Sequence, residues 1–335
     1  MIYKVDFLAT EKHFFDHSVP IFKKLPEDYR GTFFVGSAIY GHAKRHLNEK
    51  YLKTTTKYPL ESSREYVLVN AVGDLRKAGP KHVIYMEHGV GLSYGNLNPS
   101  YCDSSGSRKH VKMFLCPNSY VFERVNRNFP TIAKKTVGIP YMDKYANRIF
   151  KVNKKNPTIV ISFHWDCKGN NNFTRSAYNH YRNFIPKLKK EFPRLIGHGH
   201  PRILAELDVA TYKPFDIPVI RNFSDVVEKA DLYMVDNSST LFEFAFTNKP
   251  VVVMNCPYYN KKMKVNYRFW EYADIGVNVE PTHLQGIIDG IYEALEDSEE
   301  QQFKRKKAVE ATFTFLDGKC TDRAVDALKK LLTFR

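Results

Sequence analysis

The sequence predicts an α/β protein made of two doubly wound domains, each with a mainly parallel sheet between helices. Short apolar runs alternate with amphipathic segments along all 335 residues, which is the pattern of repeated strand and helix units. A polar, basic stretch from Lys144 to Pro157 interrupts this alternation and ends in Asn-Pro, as a linker does. We therefore expect one domain over residues 1–150 and a second over residues 151–335 that ends in helices.

The first domain contains six apolar runs of strand length and three segments with helical spacing. The predicted strands are Ile2 to Leu8, Gly31 to Val35, Tyr66 to Asn70, His82 to Met86, Met113 to Cys116 and Thr136 to Val137. The predicted helices are His17 to Lys24, Val72 to Ala78 and Ser119 to Asn128.

The second domain repeats the alternation and then becomes helical. Its predicted strands are Thr158 to Phe163, Arg194 to Gly197, Val219 to Ile220, Asp231 to Val235 and Val251 to Asn255. Its predicted helices are Arg175 to Glu191, Ser224 to Lys229 and Ser239 to Thr247, followed by helices within His283 to Phe334. Two such domains predict a ligand cleft between them, because open parallel sheets bind ligands at the carboxyl ends of their strands.

The composition is that of a soluble globular protein, with 43% hydrophobic and 26% charged residues. No run of eighteen apolar residues exists, and Met1 to Ala9 looks like a strand rather than a leader. We therefore expect a cytoplasmic protein without a transmembrane segment. The five cysteines are an odd number without a CxxC pair, which predicts free thiols.

Positive charge is concentrated in one window. The formal net charge is +15, and the segment from Tyr101 to Lys155 holds twelve Lys and Arg against three acids, a surplus of nine. Such a region attracts polyanions, so we expect contact with nucleic acid, a phosphate-rich polymer or, more weakly, an anionic membrane surface. Arg108 and Lys109 are candidate acceptor contacts. The alternative is a solvated basic face that only promotes solubility.

A strand-to-helix junction in the second domain carries the sharpest signal for a ligand site. A buried strand ends at Asp236, Ser238 to Thr240 precede the next helix, and Glu243 lies one turn inside it. Hydroxyls and free amides at a helix start bind phosphate oxygens, so Ser238, Ser239 and Thr240 are candidate diphosphate contacts. A carboxylate one turn later can accept ribose hydroxyls, which suggests Glu243, with Asp236 beside it. The alternative is an ordinary helix cap.

A second candidate site follows a strand of the first domain, in Ile84 to Gly91. His88 stands at the strand's carboxyl end between Glu87 and Gly89, with Gly91 close behind. A neutral imidazole there suits a general base that takes a proton from an acceptor hydroxyl, and glycines let a ligand approach the backbone. The alternative is a structural histidine.

A third candidate site is Gly197-His198-Gly199-His200-Pro201-Arg202, again after a strand. Imidazole and guanidinium groups here could stabilise phosphate charge. The His-x-His pair could also ligate a metal ion, but no third ligand has suitable spacing, so no metal site is expected.

These motifs resemble the nucleotide-binding segment of GT-B transferases, most closely the CDP-glycerol glycerophosphotransferase family of teichoic acid synthesis and more distantly UDP-N-acetylglucosamine 2-epimerases. The family pattern "sDv...aDlliTDySSv.fe.a...kPvi" stands here as Ser224-Asp225-Val226, Ala230-Asp231, Asp236 to Thr240 and Lys249-Pro250-Val251. The resemblance covers about residues 82–257. It implies two Rossmann-like domains that face each other across a cleft, the first binding the acceptor and the second the nucleotide donor.

The same resemblance assigns roles to several residues. It places the His-Gly base at His88 and a donor-phosphate contact at His200. The family's basic residue before that histidine is absent here, and His198 or Arg202 would replace its charge.

Three other segments match the family pattern at residues whose chemical roles are less specific. His164 would line the donor site, and Arg221 with Phe223 stands where related enzymes hold the base. Gly138 to Asp143 resembles the "G.P..D" segment that closes the first domain.

These observations predict a transferase that needs neither a cofactor nor a divalent ion. An acceptor hydroxyl, deprotonated by His88, would attack the activated carbon or phosphorus of a UDP-sugar or CDP-glycerol type donor. Modified DNA is slightly favoured as acceptor for glycosyl transfer. The alternatives are a teichoic-acid-type CDP-glycerol glycerophosphotransferase, a UDP-sugar epimerase and an inactive binding module.

Overall fold

The computed structural model describes residues 2–62, 64–90, 110–165, 176–257 and 275–333. They form two compact units, each with its own parallel sheet. The chain passes from the first unit to the second between Asn147 and Arg148, and returns to the first at Thr312. Of the five cysteines, Cys116, Cys256 and Cys320 are buried free thiols, as predicted. The other two, Cys102 and Cys167, lie outside the described residues.

The first unit is built on a parallel sheet in the order β3-β2-β1-β4-β5-β6-β7. Its strands are β1 (Val5–Ala9), β2 (Arg30–Gly36), β3 (Leu52–Thr55), β4 (Tyr66–Val69), β5 (His82–Met86), β6 (Val111–Cys116) and β7 (Ala133–Thr136). Its helices include α1 (Lys12–Lys24), α2 (Tyr40–Lys44), α3 (Val72–Ala78) and α4 (Ser119–Asn128). The strand order reverses between β1 and β4. The carboxyl ends of these two strands therefore form the topological switch point of the sheet, the place where open α/β sheets bind ligands.

Alternation along the strands divides the first core into two layers. Phe7 and Leu68 face α1 and pack with Phe14 and Phe22. Val67 and Val69, the next residues along β4, pack on the other face with residues of α4. Both layers exclude water, which provides the hydrophobic stabilisation of the unit.

The second unit is built on a parallel sheet in the order β12-β11-β10-β8-β9. Its strands are β8 (Ile159–Phe163), β9 (Leu195–Gly199), β10 (Leu232–Val235), β11 (Val251–Met254) and β12 (Val277–Val279). Its helices include α5 (Tyr178–Tyr181), α6 (Ile185–Glu191), α7 (Pro201–Leu207), α8 (Phe223–Lys229), α9 (Thr240–Ala245), α10 (Leu284–Glu296) and α11 (Glu299–Thr312). Here the strand order reverses between β8 and β10.

The predicted strands are largely present, with one exception. Val219 to Ile220 forms only an isolated bridge from Val219 to Gly197 and is not a strand. Two short strands, β3 and β12, had not been predicted. The predicted helix from Arg175 to Glu191 is divided into α5 and α6, and its first residue lies outside the described ranges.

The C-terminal helix α12 (Cys320–Leu332) packs with the first unit, so the prediction of one continuous domain over residues 151–335 is wrong at this end. Ala324, Leu328 and Leu332 enter the same core layer as Phe7. The carboxylate of Asp143 accepts hydrogen bonds from the backbone N–H groups of Cys320 and Thr321 at 2.9 and 2.6 Å. The segment resembling "G.P..D" therefore caps this helix and holds it to the first sheet.

No helix within the described ranges is long and apolar enough to cross a membrane.

Candidate active site

The carboxyl ends of β8, β9 and β10 bring together most of the predicted donor residues. Ser162 of β8 is in register with Val235 of β10 on one side and with His198 of β9 on the other. Residues that follow these strands, including His164, therefore lie along one edge of the sheet. This edge is at the switch point, where doubly wound sheets bind ligands.

Asp236 is fully buried and ties the segments at this edge together. Its Oδ1 accepts a hydrogen bond from the backbone N–H of His164 at 2.8 Å, and its Oδ2 accepts from the N–H of Ala177 at 2.9 Å and from the hydroxyl of Ser176 at 3.2 Å. Burial raises the pKa of the Asp236 carboxyl to about 6, although these donors lower it. Because both oxygens bind protein donors, Asp236 positions the site, which differs from its predicted ribose contact.

The hydroxyls of Ser238 and Thr240 are held in a short hydrogen-bonded chain. Oγ of Ser238 lies 2.8 Å from Oγ1 of Thr240, and the buried hydroxyl of Tyr233 lies 2.9 Å from the same Oγ1. Ser238 also accepts a hydrogen bond from the backbone N–H of Thr240 at 3.3 Å. Ser239 is exposed and its side chain makes no capping bond. The structure thus orients Ser238 and Thr240 more firmly than Ser239.

Helix α9 is shorter than predicted, because it ends at Ala245 instead of Thr247. A six-residue helix has a weak dipole, so the ordered hydroxyls are the stronger argument for anion binding here. Glu243 lies inside the first turn, as expected, and is only 4% exposed. Its charge is one of the influences that raise the pKa of the Tyr233 phenol, after burial of that phenol.

His198 is buried, and its environment keeps it neutral. Its Nδ1 lies 2.7 Å from the carbonyl oxygen of Ile220, so Nδ1 carries the proton and donates. The neutral ring then presents a lone pair at Nε2. Burial lowers the pKa of His198 below its usual value. The prediction that His198 supplies positive charge to a diphosphate is therefore not supported by its surroundings.

His200 has the opposite tautomer. It precedes α7, and its Nδ1 accepts a hydrogen bond from the backbone N–H of Arg202 at 3.2 Å. In the neutral ring Nε2 must then carry the proton, which makes His200 a hydrogen-bond donor through that atom. The ring centre lies 5.2 Å from that of His164 and 5.9 Å from that of Trp165.

Arg202 provides positive charge at the same edge. Its guanidinium carbon lies 4.6 Å from the centre of the Trp165 ring, in a cation–π contact. His164 is buried, and its Nδ1 donates to the carbonyl oxygen of Trp165 at 2.9 Å. This packing holds His164, Trp165, His200 and Arg202 in one group.

Of the two residues predicted to hold the base, Arg221 lies on the segment that leads into α8, and Phe223 is the first residue of that helix. Phe223 stacks edge-on against Tyr233, with ring centres 6.0 Å apart. Arg221 is exposed and forms a salt bridge to Asp208 at 2.9 Å. Phe223 is therefore placed beside the hydroxyl chain, whereas Arg221 already has an acidic partner.

In the first unit, His88 follows β5 and is held by β4. Its Nδ1 lies 2.8 Å from the backbone carbonyl oxygen of Asn70, so Nδ1 donates and Nε2 carries the lone pair of the neutral ring. That tautomer is the one a general base needs, because the lone pair accepts the proton. Gly89, the next residue, has a φ of +69°, which a glycine adopts without strain.

Two further histidines, absent from the sequence predictions, surround His88. The rings of His13 and His17, one turn apart on α1, lie 5.4 and 6.4 Å from that of His88, and Phe14 lies 4.8 Å away. Burial lowers the pKa of His17 well below its usual value, and the neighbouring histidines and Lys144 lower it further. His17 is therefore neutral and adds no charge to this site.

Of the remaining residues predicted to contact the acceptor, only Glu87 and Gly89 lie within the described part of the chain. Glu87 is buried at 6% exposure, which removes it from an open acceptor surface. Gly91, Arg108 and Lys109 lie outside the described residues. Farther along the basic window, Arg148 is paired with Glu228 through bonds of 2.6 and 2.8 Å, so its charge is locally balanced.

One group in the described part of the chain has the composition of a metal site. Asp16 on α1, His42 on α2 and the nearby His46 bring their donor atoms within 4.8 Å of one another. Asp16 and His42 also bind each other directly, at 2.6 Å. They can therefore hold one another in place without an ion.

The family of the chain follows from a match over most of its length. The family described as CDP-Glycerol:Poly(glycerophosphate) glycerophosphotransferase matches residues 12–330. The chain belongs to this family. The match extends well beyond the motifs around Asp236 and includes every strand of both sheets except β1, which precedes residue 12. No curated protein sequence matches.

Solved structures show the same fold. The wall teichoic acid polymerase TagF, as an H444N variant with CDPG, is 14% identical with a TM-score of 0.68, over 98% of this chain and 88% of that chain. An S. aureus MnaA–UDP structure is 15% identical with a TM-score of 0.65, over 99% and 97%. A UDP-N-acetylglucosamine 2-epimerase is 12% identical with a TM-score of 0.60, over 99% and 95%. These similarities establish the GT-B type of α/β fold.

Membership of this glycerophosphotransferase family changes the balance between the functions predicted from sequence. It makes the protein a nucleotide-donor transferase and favours the CDP-glycerol alternative over glycosyl transfer to DNA.

Proposed function

We propose that this glycerophosphotransferase family member transfers a glycerophosphoryl group from a CDP-glycerol type donor to a hydroxyl group of a phosphate-rich polymer. The observation that carries this proposal is the family match over residues 12–330. The opposite tautomers of His88 and His200 support it, because the reaction needs one proton acceptor and one hydrogen-bond donor to phosphate.

In the proposed reaction, the acceptor hydroxyl gives its proton to Nε2 of His88. Its oxygen forms a bond to the phosphorus that bears glycerol, and the bond from that phosphorus to the bridging oxygen of the diphosphate breaks. CMP leaves with the bridging oxygen, and the polymer grows by one glycerol phosphate. Asn70 keeps Nε2 of His88 in the accepting form throughout binding, since its carbonyl oxygen holds the proton on Nδ1.

The donor diphosphate is bound at the carboxyl edge of the second sheet. Nε2–H of His200 donates to a phosphate oxygen, and the hydrogen-bonded pair of Ser238 and Thr240 directs its remaining hydroxyl hydrogen to another. Arg202 adds a positive charge from its place over Trp165. These donors offset charge that develops on the leaving phosphate, so we propose that no divalent ion is required.

The nucleoside is bound beside the diphosphate. Glu243 accepts hydrogen bonds from the ribose, and Phe223 offers a ring face to the base next to Tyr233. Asp236 does not contact the donor in this scheme. It holds His164 and Ala177 in place through buried hydrogen bonds.

Acceptor binding relies on positive charge in the first unit. Lys112 on β6 and Lys135 on β7 are exposed on adjacent strands but on opposite faces of the sheet. Each attracts phosphates of a polymer through the electrostatic term that also favours DNA. The family match favours glycerol phosphate polymer as the acceptor. Lysines on an edge strand such as β7 also have a structural role, because they discourage pairing with the edge of another sheet. Their positive charge therefore does not by itself distinguish one polyanionic acceptor from another.

The choice of donor can be tested by thermal unfolding. A ligand that binds only the folded protein raises its melting temperature, so CDP-glycerol should raise Tm more than UDP-N-acetylglucosamine at equal concentration. Thr240→Val, which keeps the side-chain shape and removes the hydroxyl, should reduce that rise. A larger shift with the UDP-sugar would contradict the proposed donor.

A further inference from the structure

Asn70 carries a buried amide that makes no hydrogen bond within the described part of the chain. The residue is 0% exposed, and neither Nδ2 nor Oδ1 has a partner among the described residues. A buried polar group without a partner costs free energy, and such groups in native proteins call for an explanation. Asn118 shows the usual situation, since its amide donates to the carbonyl oxygens of Val90 and Thr312 and accepts from Val121.

The position of Asn70 connects it with the proposed base. It follows β4 directly, at the switch point of the first sheet, and its backbone carbonyl oxygen lies 2.8 Å from Nδ1 of His88. Leu68, two residues earlier, packs in the same layer as Phe14 of α1. Ala71, the residue after Asn70, packs in that layer as well, so Asn70 lies between two residues of the layer that contains Phe14, and Phe14 lies against His88.

The chemistry of the surroundings indicates what completes these hydrogen bonds. An amide offers both a donor and an acceptor, and His17, whose ring centre lies 6.4 Å from that of His88, is neutral. An alcohol hydroxyl, which also donates and accepts, matches the amide better than a phosphate oxygen, which only accepts. Because the amide makes no hydrogen bond, turning it toward a ligand at the sheet edge breaks none.

We propose that Asn70 binds the attacking hydroxyl of the acceptor and directs it to Nε2 of His88. This inference rests on the proposed function, which supplies the acceptor. It makes Asn70 a residue that selects an alcohol acceptor, and it gives a role to a buried polar side chain at a position where an apolar one would pack at lower cost. The backbone contact to His88 does not depend on the side chain, so the amide can be tested separately.

The test compares Asn70→Leu, which keeps the branched shape, with Asn70→Ala and with Asn118→Leu as the control for a satisfied buried amide. CMP release from CDP-glycerol is measured over a range of a synthetic glycerol phosphate oligomer, together with Tm and the Kd for CDP-glycerol. We expect both Asn70 variants to raise the KM for the oligomer about three- to tenfold, the worth of one neutral hydrogen bond. The Kd for CDP-glycerol should not change.

Stability separates this role from a structural one. Asn70→Leu should unfold at the wild-type Tm or above, because it removes an unpartnered polar group, whereas Asn118→Leu should lower Tm. An unchanged KM for the oligomer in both Asn70 variants would overturn the inference. So would a fall in Tm like that of Asn118→Leu together with weaker CDP-glycerol binding, since Asn70 would then be structural.

The inference can fail separately from the proposed function. If wild-type protein releases no CMP from CDP-glycerol, the proposed reaction is wrong, but the oligomer alone can still be tested for a rise in Tm. A rise in wild-type protein that is absent in Asn70→Leu would support Asn70 as an alcohol-binding residue. No rise in wild-type protein would overturn it.

Discussion

The carbonyl oxygen of Asn70 lies 2.8 Å from Nδ1 of His88 and thereby fixes which nitrogen of the imidazole carries the proton. The lone pair is left on Nε2, as a general base requires. A backbone carbonyl cannot be removed by substitution, so this orientation persists in most variants around the site.

His88→Ala should reduce the rate of transfer by a factor of about 10² to 10⁴, the usual contribution of a general base. Binding of CDP-glycerol should persist, because the donor residues lie in the second unit. His88→Gln, which keeps a polar side chain without a basic nitrogen, should be as impaired as the alanine variant. Initial rates and donor affinity measured on the same preparations would check this, and a fully active glutamine variant would exclude His88 as the base.

His200→Ala should lower kcat about 10²-fold or more, as removal of a donor to a developing charge does. His200→Gln should recover part of the rate, because its amide can place an N–H near the position of Nε2. His198→Ala is the matched comparison: its ring binds Ile220 inside the protein, so its main effect should be a lower Tm. Equal kcat losses for all three variants would argue against the assigned tautomers.

The buried carboxyl of Asp236 should make stability depend on pH. Its folded pKa of about 6 lies above the ordinary value of 3.8, so the folded state binds more protons between these values. Below about pH 4 this group makes its full contribution to the free energy of unfolding. As the pH rises through 6 that contribution is lost, and the free energy of unfolding falls by up to about 3 kcal/mol.

Asp236→Asn cannot titrate and isolates this effect. The Tm of the wild type minus that of Asp236→Asn should fall between pH 4.5 and 7.5. A difference that is constant across this range, or that grows with pH, would show that the carboxyl is already ionised at low pH in the folded protein.

Chelation should leave transfer unchanged if no divalent ion takes part. We expect the same initial rate with and without EDTA after dialysis. If EDTA abolishes activity and Mg²⁺ or Mn²⁺ restores it, a divalent ion is required. That result would contradict the proposal that His200, Ser238 and Thr240 offset the phosphate charge without one. Asp16→Asn would then show whether the group formed with His42 and His46 holds the ion.

The sequence was informative where a single local rule determines the structure. Buried strands such as His82 to Met86 were predicted with the observed bounds, because an apolar run between turn residues has few alternatives. The junction at Ser238 to Thr240 was predicted from its hydroxyls. Helix α1 begins five residues before its predicted start, although Pro20 lies inside it, because packing of Phe14 and Phe15 outweighs local propensity.

Roles that depend on long-range contacts could not be predicted. The carboxylate of Asp236 looked like a ribose contact, yet its partners His164 and Ala177 lie 72 and 59 residues away in sequence. The attachment of α12 to the first unit depends on Asp143, 177 residues before Cys320. No local pattern marks Asn70 as unpartnered, because this property belongs to its whole surroundings.

The proposed transfer is tested most directly by incubating the protein with a glycerol phosphate oligomer and with CDP-glycerol labelled in the glycerol. The measurement is the amount of label incorporated into the oligomer together with the amount of CMP released. We predict that label enters the oligomer with one CMP released for each glycerol phosphate added, and that His88→Ala does neither. Label that stays in the donor, while UDP-N-acetylglucosamine delivers its sugar to DNA under the same conditions, would contradict the proposed function.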